Sequence, residues 1–302
     1  IDVHVGTVII DNARAGFKIL AGAGNLISNF IADTSFGTCQ SYGAWVGADT
    51  NYPDTSGGTY GYIDMGQLFI KSGTDLLRIV DATIDTLKAS PKGAAAWQLV
   101  RILENTIGGV GGTINQMFLN DAVVPNGLSL LLKEGVNSVV KNLYINNLSI
   151  NGTGIILNLY SGTLENITVE RSVIKYKGTS APIVLSDGSV NNINLVDTEV
   201  DLSGTTGGVA AVVQRNGGTG VKKLVITRGL IKALGVTRGL VAYSPSTTDF
   251  EMILDKSNIQ TLKRLLDGIG CGVTIRLIEP TIDTALEPIH NGNAAYGVFV
   301  TG

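Results

Sequence analysis

Ile114-Asn-Gln-Met-Phe-Leu-Asn-Asp-Ala-Val-Val124 is the first of five segments that share one pattern. The others are Val140-Lys-Asn-Leu-Tyr-Ile-Asn-Asn-Leu-Ser-Ile150, Leu164-Glu-Asn-Ile-Thr-Val-Glu-Arg-Ser-Val-Ile174, Val190-Asn-Asn-Ile-Asn-Leu-Val-Asp-Thr-Glu-Val200 and Val221-Lys-Lys-Leu-Val-Ile-Thr-Arg-Gly-Leu-Ile231. Each puts an aliphatic or Met side chain at its first, fourth, sixth and eleventh places. Their starting residues differ by 26, 24, 26 and 31 positions, inside the range of about 20 to 50 that marks solenoid repeats. Weaker copies follow at Met252, Leu254, Ile259 and at Ile275, Leu277, Ile282. Others precede, around Leu77, Ile79, Ile84 and around Leu26, Ile31, Phe36.

The fourth and sixth places alternate with polar or variable residues, the period of two of a strand with one buried face. After a bend, the eleventh residue and its neighbours give a second short strand. A Gly-containing turn then leads to a third apolar burst, as at Leu128 to Leu132, Gly154 to Leu157, Ala181 to Leu185, Val209 to Val213 and Arg238 to Tyr243. Turn residues such as Ser186-Asp-Gly-Ser189 and Arg215-Asn-Gly-Gly218 close the coil. Three strands per repeat with no helical period predict an all-β chain, a right-handed parallel β-helix. Equivalent residues then stack at about 4.8 Å. The third-place residues Asn142, Asn166 and Asn192 either form an amide ladder or stand as isolated surface groups. Cys39 and Cys271 fall many coils apart and are expected to be unpaired.

Hydrophobic residues make up 44% of the 302 and charged ones 16%, enough apolar material for a large core and too little charge for disorder. With a net charge of -3 and dispersed Lys and Arg, no nucleic-acid footprint appears. No uninterrupted apolar run reaches the roughly 18 residues of a membrane span. Without CxxC pairs or His clusters, no metal or cofactor is expected. Residues 1–302 read as a single domain, and the abrupt ends at Ile1 and Thr301-Gly302 are those expected of a piece of a longer chain. Poor spacing predicts insertions near 37–73, rich in Tyr and carrying Trp45, and near 89–97.

This coil pattern resembles the pectate-lyase-like β-helix superfamily, and within it the shafts of bacteriophage tailspikes and tail-fibre depolymerases. The resemblance covers nearly the whole chain and rests on periodicity, since the Asn-Thr-Asp, Asp-Asp, Gly-His-Gly and Arg-Ile-Lys motifs of polygalacturonases are absent. It implies a homotrimer in the virion tail that binds or depolymerises bacterial surface polysaccharide, capsule or O-antigen. The alternatives are a non-enzymatic receptor-binding or structural shaft, and a secreted lyase or epimerase, monomeric and calcium-dependent.

Alternation places the fifth and seventh residues of each segment outside, giving an exposed sheet with Phe118, Tyr144 and Glu170, beside eighth-place Asp121, Asn147, Arg171, Asp197 and Arg228. Glycoside hydrolysis needs two carboxyl groups across the scissile bond. Glu170 as acid and Asp197 as base or nucleophile fit that need. Arg171 and Arg228 would orient an acidic sugar, and Phe118, Tyr144 and Trp45 would bind it. The same charged residues fit an ion-pair ladder that keeps the face soluble. Glu199 with Asp201, and Asp255 with Glu279, are further carboxylate candidates. Trp45 and Tyr60 fit either a sugar-binding lid or a packing role. His4 and His290 lie near opposite ends and support no triad. The acceptor triplets at Asn147, Asn151 and Asn166 fit glycosylation or the ordinary Asn and Thr content of turns.

Overall fold

A computed structural model describes residues 1–22, 24–49, 51, 58–104, 111–186, 188–205, 210–215, 220–233, 239–242, 249–261, 265–269, 272–284, 289–291 and 298–301. Every strand pairing among them is parallel, as in Thr113–Asn120 with Val139–Asn146 and Thr163–Glu170 with Ser189–Val196. The strands form three sheets of 13, 7 and 11 strands among the described residues. One coil runs from Thr113–Asn120 in the first sheet to Val123–Val124 in the second and Ser129–Lys133 in the third, and re-enters the first sheet at Val139–Asn146. This is a parallel β-helix with three strands per coil, consistent with the pectate-lyase-like architecture.

The repeat places behave as their periodicity requires. Ile114, Val140, Leu164, Val190 and Val221 stack in register, as do Met117, Leu143, Ile167, Ile193 and Leu224. All are buried, and a single apolar cluster runs from Ile10 to Ile275. Each such aliphatic side chain contributes on the order of 1.5–3 kcal/mol. The amide ladder forms outside: Asn166 Nδ2 donates to Asn142 Oδ1 at 3.0 Å, and Asn192 Nδ2 to Asn166 Oδ1 at 2.7 Å.

A sharp corner separates the first and second sheets. Its leading residues, Asp121, Asn147, Arg171, Asp197, Arg228, Lys256 and Glu279, all have positive φ between 47° and 56°. That left-handed conformation is disfavoured for side chains with a Cβ, and Asn and Asp tolerate it best among them. Corner N–H groups donate to the following coil, Asp121 N to Asn146 O at 2.9 Å and Arg171 N to Val196 O at 3.1 Å. On the inner side Ser172, Thr198 and Ser257 are buried, and their hydroxyls donate to backbone carbonyls two residues earlier at the corner, Glu170 O, Val196 O and Asp255 O. The corner therefore keeps its polar groups satisfied while turning the chain in two residues.

The N-terminal coils differ from expectation in phase. Ile27, Phe30 and Ala32 continue the inward rows, in line with Tyr60 and Ile63, whereas Leu26 and Phe36 are exposed. A one-residue slip exchanges the two faces of a strand. Leu77 and Ile79 lie in the third sheet opposite Ala44 and Val46, and Ile84 opens the next first-sheet strand opposite Ile114. Within 37–73, Ala44–Gly47 and Thr59–Ser72 occupy regular places in the third and first sheets. Residues 50 and 52–57 between them lie outside the described residues. Within 89–97, Ala94–Ala95 pairs with Lys71 and Ser72 at the end of the first sheet. Cys39 is buried and free; Cys271 lies outside the described residues.

Candidate functional site

The outer face of the first sheet carries the fifth-place row. Phe118 and Tyr144 are in register, and their rings stack with centroids 4.8 Å apart and planes 13° off parallel. Thr168 and Asn194 continue the row. Asn120, Asn146 and Glu170 form the parallel seventh-place row. Arg171, at the corner, leans back toward the preceding coil, its Nε donating to Asn146 Oδ1 at 3.1 Å. A cleft of about 220 Å³ is lined by Phe118, Asn120, Tyr144, Asn146, Glu170 and Arg171 among others. Apolar ring, amide, carboxylate and guanidinium thus meet in one place, the mixture that polyhydroxylated ligands use.

Four of the expected site residues, Phe118, Tyr144, Glu170 and Arg171, are therefore brought together. Asp197 and Arg228 pair with each other one step toward the C-terminus. Arg228 Nε reaches Asp197 Oδ1 at 2.7 Å and Nη2 reaches Oδ2 at 2.8 Å, a bidentate pair that occupies both carboxylate oxygens. The Arg228 hydrogen bond holds the Asp197 carboxyl below the usual carboxylate range and raises the guanidinium in return. Glu170 makes a longer contact, 3.6 Å to Arg171, and keeps 40% of its side chain exposed.

Trp45 occupies a different place. It lies on the outer side of the third sheet, between Lys18 and Arg78 in register, with Tyr42 edge-on at 4.9 Å. Its Nε1 donates to Ala48 O at 3.0 Å, and it lines a second cleft of about 370 Å³ with Arg14, Lys18, Tyr42, Asp49 and Asn51. Lys18 Nζ is paired with the buried Asp49 carboxylate. Arg78, stacked 3.9 Å from the Tyr42 ring centroid, is held by buried Asp75, which Arg101 and Glu134 extend into a network. Of the two roles open to Tyr60, lid or packing, the structure gives packing: it is buried in the bore. Its hydroxyl accepts from Ala21 N at 2.9 Å and donates to Ile19 O at 3.3 Å. A phenol aimed inward by strand alternation finds backbone partners there and none in solvent.

Of the remaining candidates, Glu199, Asp201 and His4 have side-chain partners. Glu199 takes Lys232 Nζ at 3.0 Å, and Asp201 takes the Ser203 hydroxyl at 2.6 Å. Asp255 ends its strand opposite Thr227 and Ile278, and Glu279 stands at the corner. His4 contacts Asp33 at 3.3 Å on the exposed first coil, and the side chain of His290 is outside the described residues. No group of three metal-ligating side chains occurs among the described residues.

Two contributors escaped sequence reading. Lys88 precedes Phe118 in the fifth-place row, and Tyr62 stands beside it on the strand before. Counting back from Ile114 to Ile84 gives the signal, since Lys88 is the fifth residue from Ile84. Comparison of the chain with protein-family models, curated proteins and solved structures returned no match.

Proposed function

We propose that this β-helix binds an extended bacterial surface polysaccharide along the outer face of its first sheet, as a receptor-recognising shaft of the tailspike kind and within a homotrimer. The stacked Phe118–Tyr144 pair, flanked by Asn120, Asn146, Glu170 and Arg171 in one cleft, carries the reading. Aromatic groups supply apolar contact area at low entropic cost, and amides, carboxylate and guanidinium take hydroxyls and acidic substituents. A straight face repeated coil after coil suits a polymer.

The test is binding of capsular and O-antigen polysaccharides to the full chain, with Phe118→Ala and Tyr144→Ala as controls. Each substitution is expected to weaken binding about tenfold or more, near 1.4 kcal/mol. Retention of full affinity by both, or failure of every polymer to bind, sinks the reading. Sedimentation tests the trimer, and a monomer returns weight to a secreted lyase or epimerase.

Cleavage of the bound polymer is a second reading, favoured by the half-exposed Glu170 carboxylate inside the cleft. Asp197 is a poor second carboxylate while Arg228 occupies both its oxygens. Reducing-end and unsaturated-uronate assays decide it: turnover abolished by Glu170→Gln with binding retained supports a depolymerase, and no turnover on any bound polymer leaves binding alone.

A further inference from the structure

The cleft is one end of a longer stripe. One coil before Phe118, the Lys88 ammonium lies 5.8 Å from the Phe118 ring centroid and 5.0 Å from that of Tyr62. Tyr62 donates its hydroxyl to Asp64 Oδ2 at 2.9 Å, and Gly66 N donates to the other oxygen at 2.9 Å, so the neighbouring carboxylate is engaged twice. The Tyr62 hydroxyl first, and the charge of the in-register Asp64 carboxylate after it, raise the Lys88 pKa, which keeps it charged. Lys88 forms no ion pair among the described residues. At the other end Arg171 keeps 64% of its side chain exposed and holds Glu170 only at 3.6 Å. Two further guanidinium groups of this face are paired, Arg228 by Asp197 and Arg276 by Glu251 at 3.7 Å.

Along four successive coils the order is therefore cation, ring, ring, cation. Three coil steps of about 4.8 Å separate the ends by roughly 14 Å along the helix axis, with Arg171 three places further along its strand than Lys88. Resting on the polysaccharide reading, we propose that the ligand is an acidic glycan whose carboxylates are separated by neutral sugars. It lies parallel to the helix axis, with one carboxylate at Lys88, the next at Arg171, and neutral sugars against the exposed edges of Phe118 and Tyr144. A polymer with a carboxylate on every sugar fits poorly, because its middle charges would be desolvated over the rings with no cation in reach and Glu170 nearby.

The experiment measures binding of the full chain to three polymers: hyaluronate and acidic capsules with one uronate per two or three sugars, uniformly charged polygalacturonate, and the carboxyl-reduced form of each. Lys88→Met keeps the length of the stem. Arg171→Asn places at the left-handed corner the residue already tolerated there at Asn147. Spaced acidic polymers are expected to bind at least about tenfold more tightly than polygalacturonate and than their reduced forms. Each variant should lose about tenfold on the spaced polymers and a markedly smaller factor on the reduced ones. Equal binding before and after carboxyl reduction, or insensitivity to both substitutions, overturns the acidic ligand while leaving glycan binding intact. Polygalacturonate binding as tightly as the spaced polymers overturns the spacing. No binding by any polymer, neutral or acidic, overturns the polysaccharide reading itself.

Discussion

Replacing Lys133 with Met should change how stability depends on pH, in a direction the fold dictates. Lys133 ends the strand Ser129–Lys133 on the inward side, in register with Leu159 and Ile102, and is fully buried. Its Nζ donates to Gly135 O at 2.7 Å and Ser161 O at 3.2 Å, tying two adjacent turns between the third and first sheets. Burial lowers its pKa from 10.5 to about 8, against the opposing charge of Glu104. The unfolded chain keeps this proton to a higher pH than the native chain does. Unfolding therefore takes up a proton between about pH 8 and 10.5, and stability rises with pH in that window. Below it the lysine is charged in both states and the desolvation cost is fully present. Linkage gives a gain from this group of about 1.3 kcal/mol between pH 7 and 9. Cys39 and Tyr60, both raised by burial, act in the opposite sense as the solution becomes alkaline. Lys133→Met retains both, so the informative quantity is the difference between the two proteins. At pH 7 they should lie close together, because Met removes a buried charge but leaves two carbonyls short of a donor, at about 1–3 kcal/mol each. Urea unfolding at pH 7, 8 and 9 should show the wild type gaining about 1 kcal/mol on the variant. Parallel profiles, or a wild type that falls behind, refute the reasoning.

Three further outcomes follow from the coil geometry. Ile167→Ala, at a fully buried place stacked between Leu143 and Ile193, should cost about 2–5 kcal/mol in urea unfolding. Asn166→Ala interrupts the amide ladder on both sides, and a loss of roughly 1–2 kcal/mol is expected from thermal unfolding. Lys256, exposed at φ 48°, should gain about 0.5–1 kcal/mol as Gly and lose stability as Val, and the same sign for both would remove corner strain from the account.

Between Ile114 and Ile282 the fold was legible because the fourth, sixth and eleventh places of each first-sheet segment are aliphatic or Met, so only one register buries the pattern. The rows failed before Ile84 for a physical reason. Leu26–Cys39 and Thr59–Ser72 are 14-residue strands that run through the position where later coils turn sharply, so the eleventh-place marker loses its meaning. Apolar residues also stand outside there, with Phe36 and Phe69 stacked at 5.4 Å on the exposed face, and they mimic an inward row. The Phe118–Tyr144–Glu170–Arg171 cluster could be read from alternation alone. Arg228 could not be separated from Arg171 that way, because the difference lies in what stands one coil earlier. Lys133 was hidden inside an apolar burst, although alternation from Leu131 points it inward.

That last distinction can be reversed by design. Corner side chains reach toward the preceding coil: Asn147 Nδ2 donates to Asp121 Oδ1 at 2.7 Å, Arg171 to Asn146, and Arg228 to Asp197. Arg228 is closed because its predecessor at the corner is a carboxylate, and Arg171 remains open because its predecessor is the amide Asn147. Exchanging the two earlier residues, Asp121→Asn with Asn147→Asp, moves a carboxylate one coil toward Arg171. Net charge is unchanged, the hydrogen bond between the two corner residues is retained with its polarity reversed, and both residue types already occur in this backbone conformation. Folding should be unaffected to within about 0.5 kcal/mol, and affinity for spaced acidic glycans should fall about tenfold, as for Arg171→Asn. Because charge is conserved, a general electrostatic attraction predicts no change at all. Unaltered affinity in the exchanged protein, with Arg171→Asn still impaired, would show that the corner does not gate the guanidinium.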